Sequence, residues 1–131
     1  MSTEENKIRV QRLIDAVNKR DFATIDEVMS PELARYFRER AIPWIYATFG
    51  DEHRTEITDV IAEGDKVWAR LATSGGHTGE WMGVPPTGKR WTNTGVYYVR
   101  IARGKIVEVS SLFDNLNLLQ QLGATIAPPK S

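Results

Sequence analysis

Four strand-like runs joined in pairs by very short turns constrain this chain more than any other feature. Residues 55–63 and 66–76 flank Gly64 and Asp65, and residues 91–102 and 105–113 flank Arg103 and Gly104. Links this short let neighbouring strands pair only as antiparallel hairpins. Between the hairpins runs the stretch 75–90, GGHTGEWMGVPPTGKR. Its glycines tolerate backbone angles that a side chain forbids, and Pro85, Pro86, Thr87 and Gly88 have turn chemistry. It reads as a long bend at the mouth of a pocket.

The front of the chain is helical. Ser2 followed by Glu5 has capping-box spacing, and Ile8, Leu13, Ile14 and Val17 recur near helical period, which predicts a helix to about Asn18. Asp21 can cap a second helix carrying Phe22, Ile25, Val28 and Met29, and Ser30 with Pro31 starts a third. The segment 36–49 is rich in aromatic residues and contains Pro43, which removes a backbone donor, so a kink or two short helical pieces are expected there. Asn115 can cap a closing helix through Leu116, Leu118, Leu119 and Leu122, stopped by Gly123.

Helices followed by a meandering sheet give an α+β fold: a cone of curved antiparallel or mixed β-sheet covered by the N-terminal helices. At 131 residues the chain is one domain, with its core over about 4–123 and a loose tail at 124–131. Seventeen basic residues balance seventeen acidic ones, so no long-range field draws it to nucleic acid or an anionic membrane. No cysteine is present, which removes thiolate chemistry and cysteine-bound zinc. The polar start and the lack of an apolar run of about 18 residues fit a soluble cytoplasmic protein.

The wide end of such a cone is a natural pocket for a hydrophobic small molecule. Asp114, between Phe113 and Asn115, is the first candidate for acid/base work, because a carboxylate among Leu112, Phe113 and Leu116 would have its charged form disfavoured. Its competing role is a helix cap, a role that Asn115 could take instead. His53 and His77 are the other candidate proton carriers. Their spacing matches no HxxxH or HxH pattern, so no metal is expected. Trp44, Phe49 and Trp81 are placed in the pocket because they lie on the kinked helix and the bend. Arg70 is a candidate for binding a carboxylate or enolate. Alternation puts it beside Trp68 on one face of its strand, and puts Tyr98 beside Arg100 on one face of the next.

The runs AEGDKVWAR at 62–70, HTGEWMGVPPTGK at 77–89, YYVRIARGKIVEV at 97–109 and DNLNLLQQLG at 114–123 together resemble the SnoaL-like polyketide cyclases of the nuclear transport factor 2-like superfamily. The resemblance implies the cone fold, a homo-oligomer (dimer or tetramer) built through the sheet, and no metal or organic cofactor. It also implies an intramolecular aldol cyclisation of a polyketide methyl ester, with the residue matching Asp114 as general acid/base. Two departures stand out. Ser110 replaces an aromatic common in relatives, which would enlarge or wet the pocket, and Phe49, Gly50, Asp51 stand where many relatives have Phe, Pro, Asp. The alternatives are an isomerase, dehydratase or epoxide hydrolase in the same cup, or a binding protein that does no chemistry.

Overall fold

The computed structural model describes residues 2–129. Helix α1 (Thr3–Lys19) begins where Ser2 Oγ accepts the Glu5 N–H at 3.1 Å, and its buried stripe is Asn6, Val10, Leu13, Ile14, Ala16 and Val17. Ile8, expected on that stripe, is 60% exposed, because two residues from either Asn6 or Val10 is the wrong side of a helix. Helix α2 (Phe22–Val28) is capped by Asp21 through the Thr24 N–H, and α3 (Pro31–Tyr36) follows with its proline in the first turn.

The expected break at Pro43 takes another form. The chain stays helical, passing through a π-helical stretch (Phe37–Ala41) into α4 (Ile42–Phe49), and the Ile42 N–H donates to the Phe37 carbonyl. The widened turn shifts the hydrogen-bond register just ahead of the residue that has no N–H to give.

Strands β1 (Arg54–Glu63), β2 (Lys66–Gly75), β3 (Trp91–Ala102) and β4 (Lys105–Phe113) pair antiparallel in the order β1-β2-β3-β4. The only parallel feature among the described residues is an isolated bridge from Met29 to Ile106. A bulge in β1 between Ile57 and Asp59 bends that edge of the sheet. At the second hairpin, Arg103 and Gly104 have φ of 52° and 77°, the double positive φ of a type I′ turn.

The core packs α1 and α2 on the inner face of the sheet, where Val67, Ala69, Leu71 and Val99 are fully buried. A second apolar cluster, Phe49, Trp81, Trp91, Leu118 and Leu122, joins the end of α4 to the closing helix α5 (Asn115–Gln121). The bend is pinned to the C-terminus of α4, whose orphan carbonyls it satisfies: the N–H groups of Thr78 and Gly79 donate to Thr48, and that of Gly76 to Phe49. Gly79 fits because any Cβ there would lie 2.8 Å from the Ala47 carbonyl oxygen.

Residues 124–129 carry no helix or strand, and the last two residues of the expected tail lie outside the described residues. No helix among the described residues is long and apolar enough to cross a membrane.

Candidate active site

Sheet, helices and bend leave a cavity of about 640 Å³ above the main core. Ile14 and Val17 of α1 form its floor, and Trp44, Ile45 and Phe49 of α4 one wall. The inner face of the sheet supplies Thr55, Thr73, Asn93, Tyr97, Val109, Ser111 and Phe113, and the bend contributes Trp81. Tyr36 and Trp44, 56% and 52% exposed, mark the open mouth with Arg40, while the π-helical stretch turns Phe37 inward.

His53, just ahead of β1, is the histidine that reaches this cavity. Its ring stacks on Phe49 at 5.9 Å and meets Trp91 at 5.9 Å and Tyr46 at 6.1 Å. It is 9% exposed, and its Nδ1 is buried without a hydrogen-bond partner. Burial among these rings disfavours the imidazolium and pushes the pKa down to about 4, so His53 is neutral at physiological pH. Burial pushes Tyr97 up to about 12, which keeps it a phenol. The Trp91 ring is held by Nε1 donating to the Gly76 carbonyl at 2.6 Å, so the aromatic wall is fixed to the bend.

Of the residues singled out from sequence, His53, Trp44, Phe49 and Trp81 meet in the cavity. The others do not. His77 is completely buried but ties the bend together: its Nδ1 accepts the Thr87 N–H at 3.1 Å and lies 2.9 Å from the Thr87 hydroxyl. Arg70 is exposed on the outer face, because Val67, Ala69 and Leu71 take the inward positions of β2. Tyr98 is on that outer face too, 5.0 Å from Trp68, and Ser110 pairs with it in register and is exposed, so a change at Ser110 does not alter the cavity.

Asp114 is exposed as well. Strand alternation sends Phe113 inward and leaves Leu112 74% exposed, and Leu116, in the first turn of α5, is 48% exposed, so the apolar enclosure expected around the carboxylate is missing. Asp114, not Asn115, caps α5, its Oδ1 accepting the Asn117 N–H at 3.0 Å. Asn115 instead lines the cavity.

Sequence reasoning passed over Thr55, Thr73, Asn93, Tyr97 and Ser111. The signal was available: a polar side chain at an inward position of an otherwise apolar alternation. Among the described residues no three histidine, aspartate or glutamate side chains gather as a metal site would require.

The profile of the family described as SnoaL-like polyketide cyclase matches residues 7–122. The nogalonic acid methyl ester cyclase of Streptomyces nogalater is 37% identical over 82 residues, 63% of this chain and 61% of that protein. The aklanonic acid methyl ester cyclase DnrD of Streptomyces peucetius is 32% identical over 90 residues, 69% of this chain and 62% of that protein. The matched stretch thus spans under two thirds of either relative. Among solved structures, TsrD from Streptomyces laurentii superposes with a TM-score of 0.84 at 25% identity, over 95% of this chain and 99% of its own. AclR from Streptomyces galilaeus, described as a proposed hydroxylase, superposes with a TM-score of 0.79 at 28% identity, over 98% and 91%.

Proposed function

The chain belongs to the SnoaL-like polyketide cyclase family, and from that premise we propose that it is a cytoplasmic enzyme closing a ring within a hydrophobic, polyketide-derived ester by intramolecular aldol addition. It uses its own side chains, without metal or organic cofactor. The observation that carries the reading is the cavity of about 640 Å³, mostly apolar in its walls, with one neutral imidazole set into them.

Such a cavity binds a flat, mostly apolar molecule by burying its faces against Phe49, Trp81 and Trp91. The carbon between two carbonyls of the substrate is the acidic one. His53 takes its proton, through Nε2 since Nδ1 is buried away, and the enolate carbon attacks a second carbonyl of the same molecule. The alkoxide so formed takes the proton back. One C–C bond forms and no atom is lost, so product and substrate have the same mass. Burial keeps the free imidazole unprotonated and a weak base, and its proton affinity rises only as the enolate charge develops beside it, an attraction that the dry aromatic surroundings strengthen. Asp114 lies outside this step in our reading. It holds α5 in place as its cap.

The outer face of the sheet presents Ile61, Trp68 and Leu112, 64%, 49% and 74% exposed. An apolar patch of this kind fits the self-association expected from the resemblance, with a second copy covering it.

The test is incubation with nogalonic acid methyl ester, followed by chromatography and mass spectrometry. The expected result is a new peak of unchanged mass that His53→Gln reduces about a hundredfold. Absence of both conversion and binding, with this ester and with aklanonic acid methyl ester, would overturn the reading.

A further inference from the structure

We propose that the side-chain amide of Asn93 donates the hydrogen bond that holds the reacting carbonyl oxygen, and that Asn117 is the positioning residue that turns that amide toward the cavity. The proposal rests on the cyclase reading above and adds to it a group for the oxygen where charge develops.

Asn93 interrupts an inward run of β3 that otherwise holds Trp91, Tyr97, Val99 and Ile101. It is 6% exposed and lines the cavity. The two polar atoms of its amide differ: one is engaged by the protein, and the other, unpartnered but not buried, is open to a ligand. Oδ1 accepts from Asn117 Nδ2 at 3.1 Å, while Nδ2 donates to no group among the described residues.

This orientation of the two amides is favoured by a neighbour. Asn117 Nδ2 also reaches the Thr92 carbonyl at 3.5 Å, and a carbonyl only accepts. With nitrogen as the Asn117 atom there, the Asn93 atom facing it is oxygen, and the remaining Asn93 atom is an NH₂ with no acceptor among the described residues. Asn117 is held in turn from both ends of α5. Asp114 caps its N–H, and Gln121 bonds the Thr92 N–H at 3.1 Å and the Thr92 carbonyl at 2.7 Å.

A ketone, ester or enolate oxygen has lone pairs and no hydrogen, so a donor is what it needs. The bond strengthens as the oxygen becomes negative, which makes it more valuable in the transition state than in the ground state.

The probe is 1,8-dihydroxyanthraquinone, a planar aromatic ketone whose phenol changes colour on ionisation. A donor aimed at the ionised oxygen favours the phenolate, so the bound probe should have a lower pKa in the native protein than in Asn93→Leu, by about one unit, with phenolate affinity about tenfold higher. Asn117→Asp places a carboxylate oxygen where the Asn117 nitrogen now faces the Asn93 oxygen, and so turns the Asn93 amide round. It should raise the bound pKa in the native background and have much less effect in the Asn93→Leu background, a dependence that a direct charge effect would not show. Asn117→Ala, at a half-buried site, gives the same direction of shift should Asn93→Leu fail to fold.

Binding with an unchanged pKa in Asn93→Leu or in Asn117→Ala overturns the proposal and leaves the cyclase reading standing. An Asn117→Asp effect of equal size in both backgrounds overturns the positioning role. No binding of the probe to the native protein removes the cavity reading and this proposal together.

Discussion

On the inner face of the sheet Val67, Ala69 and Leu71 are fully buried and Thr73 and Asn93 reach the cavity, whereas on the outer face Ile61, Trp68 and Leu112 are all exposed. The two faces alternate residue by residue along the same strands, so their difference is one of surroundings more than of composition. Inward, apolar side chains meet helices and a polar one is an exception that calls for a partner or a ligand. Outward, apolar side chains are the exception, and the self-association proposed above would give them cover.

The comparison breaks most visibly under truncation of one leucine on each face. Leu71→Ala should cost about 2–5 kcal/mol in urea unfolding, since Leu71 is fully buried, and Leu112→Ala less than about 0.5 kcal/mol in the monomer. Similar losses at the two sites would mean that the faces are not distinct.

Acid sharpens the contrast from the inner side. The unfolded chain protonates His53 near 6.5, the folded protein near 4. Between these values the unfolded state binds the extra proton, so stability is full above about pH 6.5 and falls as pH drops toward 4, by about 3 kcal/mol. Unfolding curves across that range should lose most of this slope in His53→Gln.

On the outer face, Trp68→Lys should shift the protein toward monomer in sedimentation while leaving ligand binding in the cavity intact. Were Trp68 an anchor of the proposed interface, its loss would weaken that interface by about 2 kcal/mol or more.

The smallest effect is expected where the faces meet, at the end of β4. Asp114→Ala removes a cap and should cost about 1 kcal/mol in thermal unfolding, and Asp114→Asn only a few tenths, because asparagine caps as well.

Much of the fold was readable because local chemistry decides it. The spans of β3 and β4, the Asp21 cap and the Arg103–Gly104 turn each depend on residues within a few positions of one another. The cavity was harder to read. Alternation separates Arg70 from Leu71 but needs an anchor to say which side is inside, and the apolar set Val67, Ala69 and Leu71 was that anchor. Adjacent aromatics at Tyr97 and Tyr98, and adjacent serines at Ser110 and Ser111, offer no such asymmetry, and in each pair the second and first residue respectively turned outward. Asp114 and Asn115 are equally good caps by type, and only backbone geometry chooses between them. The role of His77 depends on Thr87, ten residues away across a bend, where no periodic pattern operates.

The most direct test of the claim that chemistry belongs to the inner face is to measure turnover of His53→Gln and Asp114→Asn side by side on one polyketide methyl ester. The account predicts a loss of about a hundredfold for the first and less than about fivefold for the second, both with native folding. A hundredfold loss in Asp114→Asn with His53→Gln near native would contradict it.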